Sequence, residues 1–475
     1  MEITIHACIH AGMAQFARAL TRKLLQSILL ALGLAGLQPA LAQSIDAASA
    51  LAETAGAATN AQDDHWLAKF QTTYVWQKKP GFDAAYSGPN SLSPSPEKSY
   101  TFSATAFLGW RPWPGTEIYL NPEVVQGVAL SNLTGLAGVT NGEIQKVAGP
   151  HPNFYRARLF LRQTIGFGGG RQALEAGFNQ FAGEVDRRRL VLTAGNFALT
   201  DMFDSNTFTH DPRTQFLNWT MMDYGAWDFA ADSRGFTRGA VAELYYDDWV
   251  LRLGRMLMPA QSNGLSLNPH IFRSYGDNLE IEHAHQINGQ PGKLRFLVFR
   301  NVAVMARYSD ANAYAAANGG APDLSKVRRN QAKTGFGVSL EQNLTGDIGI
   351  FGRYSQNDGE GEEFAYTEVD RSLLAGIAIK GTHWSRTDDT VGVALVRNNI
   401  SSAHREYLAE GGLGYFLGDG KLPHYHSEDI VEAYYNMKLA QRLWTTFDYQ
   451  RIANPAYNAD RGPVYVLSAR LHAEF

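Results

Sequence analysis

Val464-Tyr-Val-Leu-Ser-Ala-Arg-Leu-His-Ala-Glu-Phe475 decides the fold. At the two-residue period of a β-strand, Tyr465, Leu467, Ala469, Leu471, Ala473 and Phe475 share one face, and Ser468, Arg470, His472 and Glu474 the other. A soluble sandwich could carry such a strand at its surface. It would seldom finish it on an aromatic, because chain ends normally fray into water. In an outer-membrane barrel the apolar face meets lipid and the polar face lines a wet lumen. Phe475 then sits in the interfacial girdle, where it is expected to serve assembly.

Working outward, strand-like segments recur at 66–78, 100–111, 117–125, 154–166, 189–197, 235–246, 249–258 and 277–287. They continue at 293–304, 331–343, 347–356, 370–380, 390–400, 429–440, 444–453 and 464–475, about 16 in all. The connections alternate in length: tight turns such as 247–248 and 441–443 separate long loops such as 126–153, 198–234 and 401–428. Short periplasmic turns and long extracellular loops are the two ends of a closed antiparallel transmembrane barrel over 65–475. One connection breaks the rule. Segment 167–188 falls where a tight periplasmic turn belongs, and Leu174, Phe178, Phe181 and Val185 are spaced as on a helix, so a short packed helix is expected there. Gly168 to Gly170 read as a turn, because no phosphate-loop motif follows.

The N-terminal region supplies an export route. Arg18, Arg22 and Lys23 precede an apolar run over 24–37, and Ala40-Leu41-Ala42 is a small-x-small cleavage site, so 1–42 is expected to be a signal peptide, with Met13 a possible true start. The Ala-rich stretch 43–64 is expected to be a periplasmic leader. Cys8, the only cysteine, falls in the segment removed, which leaves no disulfide, thiol nucleophile or cysteine metal ligand in the mature chain. After the signal no apolar run reaches helical-span length, and mean hydropathy is -0.25, yet 12% of residues are aromatic. Hydrophobicity spread over alternate strand positions gives this mixture. A net charge of -4, from 42 basic and 46 acidic residues, leaves no nucleic-acid footprint.

Segment 198–234 is too long to be structureless and too rich in aromatic and acidic residues to be disordered. Asp201, Asp204, Asn206, Asp211, Arg213, Trp219, Trp227 and Arg234 are its candidate sugar-binding residues. Carboxylates, amides and guanidinium groups hold vicinal hydroxyls by directed hydrogen bonds, and aromatic faces cover the C-H side of a pyranose. Folded inward, this extracellular loop would narrow the pore to an eyelet.

Several segments resemble the carbohydrate-selective porins of the OprB type: Trp66-x-x-x-Phe70 with Gln71 and Tyr74; Phe82 to Tyr86 with Gly88 and Asn90-Ser91-Leu92; and Gly195-Asn-Phe through Asp201-x-Phe203-Asp204-x-Asn206 and Asp211-Pro-Arg213. Asn454-Pro-Ala-Tyr457-Asn458-x-Asp460-Arg461-Gly462-Pro463 is the most specific. The resemblance implies a single-chain 16-strand barrel and passive uptake of sugars across a Gram-negative outer membrane. Expected partners are the carbohydrate, outer-membrane lipid and the barrel-assembly machinery, with no nucleic acid.

Strand parity adds lumen candidates independently. Arg156, Arg158 and Arg162 are set inside by assigning Ala157, Leu159 and Leu161 to lipid, and Arg252, Arg295, Arg353 and Arg470 follow by the same count. A charge facing lipid at the midplane costs roughly 2–4 kcal/mol. Each arginine either touches sugar or braces the wall against a carboxylate. His283-x-His285 and His424-Tyr-His426 lack a third ligand, so no metal or cofactor is expected. Asp358-Gly-Glu360-Gly-Glu362-Glu363 reads as a solvated acidic tip in preference to a calcium loop. No G-x-S-x-G or comparable signature supports a barrel enzyme, and a barrel for another cargo, such as polysaccharide export, is the alternative.

Overall fold

A computed structural model describes residues 65–475; the signal-peptide, leader, Met13 and Cys8 expectations lie outside the described residues. Sixteen strands close an antiparallel barrel. In chain order they are β1 (Trp66–Lys79), β2 (Glu97–Trp113), β3 (Thr116–Val128), β4 (Asn153–Gly166), β7 (Arg189–Phe197), β8 (Thr237–Tyr246), β9 (Trp249–Leu257) and β10 (Tyr275–Ile287). Then come β11 (Gln290–Met305), β12 (Arg329–Asn343), β13 (Ile348–Asn357), β14 (Arg371–Lys380), β15 (Thr390–Asn399), β16 (Glu428–Ala440), β17 (Leu443–Ala453) and β18 (Val464–Glu474). β5 (Arg171–Leu174) and β6 (Gly183–Asp186) pair only with each other.

Closure runs through β1 and β18, registered from Gln71 opposite Glu474 to Lys78 opposite Leu467. Alternation assigns the faces as the sequence suggests. Tyr465 and Leu467 are exposed on the lipid side, whereas Ser468, Arg470 and His472 are buried in the lumen. Near the end holding β1's start and β18's end, Trp66 stacks on Trp110 with ring centroids 5.8 Å apart, and Trp113, Tyr246 and Trp249 lie exposed, an aromatic girdle at the lipid interface. No helix among the described residues is long and apolar enough to cross a membrane.

The short helix expected within 167–188 is a hairpin. Arg171 to Leu174 pair antiparallel with Gly183 to Asp186, and Gly168, Gly169 and Gly170, with φ of 96°, 81° and 88°, lead the chain from β4 into that hairpin. The four apolar side chains are spread over two antiparallel strands and their tip instead of one helical face. The acidic segment is corrected in part, since Asp358 and Glu360 are exposed as expected. Glu362 and Glu363 are buried, the first against Arg328 at 2.7 Å and the second against Lys146 at 3.3 Å, because loop 358–370 folds into the barrel.

The long loops share one end. Loops 306–328 and 400–427 carry helices α1 (Tyr308–Asn318) and α2 (Ser402–Ala409), which pack on each other. Cysteines introduced at Ala317 or Lys421, both exposed on these loops, should react with an impermeant maleimide on intact cells, whereas one at Gly346 in a short turn should not. Reversed labelling would invert the orientation.

Candidate functional site

An irregular segment inside a barrel carries backbone N-H groups that need acceptors. The lumen wall supplies them as carboxylates. Glu280 accepts from the Asp204 N-H at 2.9 Å, Glu341 from Thr207 at 2.7 Å, and Glu432 from Leu217 and Asn218. Loop 198–236 is thereby fastened to the β10–β17 side of the barrel. Asp228 in turn accepts from the N-H groups of Phe364, Ala365 and Tyr366, which carries loop 358–370 inward with it.

Arg353 of β13 is the main clamp. Its Nε donates to Asp204 Oδ1 at 2.9 Å, and its two terminal nitrogens donate to the Met221 and Thr209 carbonyls at 2.7 and 2.6 Å. Arg470 of β18 holds the carbonyls of Pro212 and Gln215. Arg252 is ringed by Glu243, Glu280 and Glu282, and Arg295 bridges Glu282 and Glu341. These four arginines brace wall and loop.

The opposite side of the barrel stays open. A cavity of about 560 Å³ runs between the fastened loop and the inner wall of β2–β4. Arg158 of β4 meets Asp201 in a fork of two bonds at 2.7 and 2.6 Å. Arg213 lies 3.2 Å from Glu143, a residue of loop 129–152, and 4.0 Å from Asp211. The Arg234 guanidinium sits 4.8 Å over the Tyr155 ring. The cavity walls carry five basic and six acidic side chains, so opposite charges nearly cancel. Phe107, Phe160, Phe178, Trp219, Phe229, Phe236 and Tyr366 add aromatic surface. Gln145 Oε1 and Arg234 Nε, both on lining residues, have no hydrogen-bond partner in the protein, and His210 Nδ1 faces Asp223 Oδ1 at 3.4 Å.

The sequence-selected residues are therefore divided. Asp201, Asp211, Arg213, Trp219 and Arg234 line the cavity, as do Arg158 and Arg162. Asp204, Asn206 and Trp227 do not. Asp204 is fully buried under Arg353, Asn206 donates to Ser339, and the Trp227 indole N-H donates to Asn278 at 2.9 Å. Trp219 shows the cavity little of its face, because it stacks on Tyr366 with centroids 5.7 Å apart and planes 5° from parallel. Arg156 faces outward, contrary to the parity count. β4 bulges at Ala157, so that Asn121 pairs with Arg158 while Pro122 pairs with Arg156, and the alternation inverts on the extracellular side of the bulge.

Residues 99–475 match the family described as carbohydrate-selective porin, OprB family. This chain belongs to that family. It is accordingly a carbohydrate porin of the Gram-negative outer membrane, a channel in family and fold. Among solved structures it is similar to OprB of Pseudomonas putida at high pH, with a TM-score of 0.67 and 16% identity over 89% of this chain and 97% of that one. The low-pH structure of the same protein gives 0.46 and 12% over 86% and 93%, and Pseudomonas aeruginosa OccK2 (OpdF) gives 0.41 and 8% over 86% and 97%. No curated protein matched.

Sequence reasoning missed the part of this OprB-family channel that loop 129–152 supplies. Glu143, Gln145 and Lys146 come from loop 129–152, whose length equals that of other long loops and whose composition carries no sugar signal. Glu123 and Phe160 were accessible to strand parity, had acidic and aromatic residues been counted along with arginines. Among the described residues no cluster of His, Cys, Asp or Glu is arranged to hold a metal ion.

Proposed function

We propose that mono- and small oligosaccharides diffuse passively into the periplasm through the off-centre cavity, with Arg158, Asp201, Asp211, Arg213, Glu143 and Arg234 as its eyelet. The carrying observation is the combination of nearly cancelling charge, aromatic lining and polar atoms without protein partners in one cavity. A ring of one sign would select ions. Paired opposite charges present donors and acceptors together, which suits a neutral polyhydroxyl solute that both donates and accepts. The porin acts without catalysis, and its remaining partners are outer-membrane lipid on the apolar face and the assembly machinery that receives β18. Export of another cargo has no specific support from the lining.

In planar bilayers the purified protein should show a small ohmic conductance that glucose or maltose reduces in a saturable way, because a bound sugar displaces ions from the narrowest section. Affinity should be modest, since a site that holds its sugar too firmly does not release it. The Asp211→Ala, Arg213→Ala double variant should weaken the block and raise conductance. Absence of block in the unmodified channel would overturn the reading.

A further inference from the structure

The hairpin between β4 and β7 does not lie flat beneath the barrel. Its tip, 175–182, turns up into the lumen. Gly177 and Gln180 exchange backbone bonds at 3.0 and 3.3 Å around Phe178 and Asn179, and Asn179 takes a φ of 53°. The Phe178 ring lies 4.5 Å from Phe107 of β2, and the Lys69 ammonium of β1 donates to the Ala176 carbonyl at 3.0 Å. Arg162 of β4 donates to the Asn179 carbonyl at 2.9 Å. The wall is shaped to receive the tip: a Cβ on Gly109 of β2 would stand 3.0 Å from the Phe181 ring, closer than ordinary packing.

We infer that this hairpin tip builds a second sugar-binding station at the periplasmic exit, with Phe178 as the stacking platform and the Asn179 and Gln180 amides as hydroxyl partners. The inference rests on the sugar-channel reading above. All three residues line the cavity. Asn179 Oδ1 accepts from Asn121 at 2.9 Å, which directs its own NH2 elsewhere, and the Gln180 NH2 donates to the Glu175 carbonyl at 2.8 Å, which leaves Oε1 as an acceptor. One free donor and one free acceptor beside an aromatic face suit a pair of ring hydroxyls and the C-H side of a pyranose.

The station is distinct from the eyelet. Arg158 and Arg162 are four residues apart on β4, roughly 13 Å along the strand at its usual rise. A sugar leaving the eyelet would thus meet a second weak site before the periplasm, and one arriving from the periplasm would meet it first. Asn121 acts as a positioning residue, holding Asn179 in place.

Glucose-induced current fluctuations, recorded with sugar added from one side at a time, test this. Phe178→Ala should speed escape of sugar added from the periplasmic side by about twofold to twelvefold, the range expected for losing one aromatic contact. Phe178→Trp should restore it. Replacing 175–182 with an Asn-Gly turn across the Leu174 to Gly183 pair should remove the periplasmic component altogether. Folding is checked by mobility on unboiled gels; should Phe178→Ala not assemble, Phe178→Leu, which keeps apolar contact with Phe107 but loses the flat face, takes its place. Unchanged periplasmic kinetics in these variants, with the Arg213 effect intact, would overturn the exit station and leave the channel reading standing. No block from either side in the unmodified protein would overturn both.

Discussion

Replacing Arg353 with Met is expected to free loop 198–236 from the wall, raise single-channel conductance several-fold and abolish sugar block. One guanidinium group ties Asp204, Thr209 and Met221 to β13, three points spread over the middle of the loop. Removing it leaves the Asp204 carboxylate buried and without its cation, a loss of about 3–5 kcal/mol for a broken buried pair. The barrel ladder does not depend on this contact, so heat-modifiable mobility should persist while the loop detaches. Arg353→Lys should fail to rescue, because an ammonium group cannot reproduce a fork reaching a carboxylate and two carbonyls. Adding Asp204→Asn to Arg353→Met should recover part of the block by removing the orphaned charge. Unaltered conductance and block in Arg353→Met would show that the wall carboxylates alone hold the loop.

Deleting Phe475 is expected to cut the folded, outer-membrane fraction by about tenfold or more, given the roughly 1.5–3 kcal/mol available from burying a phenylalanine side chain. Phe475 completes the last rung of the closing seam: its N-H donates to the Phe70 carbonyl at 2.8 Å, and its carbonyl accepts from the Phe70 N-H at 3.0 Å. Its ring lies 6.2 Å from that of Phe70 in the periplasmic girdle. Without it the β1 edge is open at Phe70, and an unpaired edge is a poor structure in lipid. Phe475→Trp should assemble and Phe475→Ala only partly, as read by membrane fractionation with unboiled gels. Full assembly of the deletion would show that the remaining β1 to β18 register suffices.

The barrel was legible because its signals are local. Alternation within each strand and alternation of turn and loop lengths depend on neighbours one or two residues away, and they located all sixteen strands and the odd periplasmic connection. That loop 198–236 turns inward also followed from its composition, since such aromatic and acidic density is costly to leave without partners. The secondary structure of 167–188 did not follow, because the spacing of its apolar residues also fits a hairpin whose tip is held from outside the segment, Phe178 against Phe107 and Phe181 against Tyr119.

Which residues face the sugar path was decided by the tertiary structure alone. Asp204, Trp227 and Asp211 look alike in sequence, yet Arg353 and Asn278 claim the first two from strands far along the chain and leave the third at the cavity. A one-residue bulge at Ala157 turned Arg156 out while Arg158 stayed in, a shift of face that strand parity cannot register. Sequence determines what a segment can bury; which of its polar groups remain unclaimed depends on every other segment packed against it.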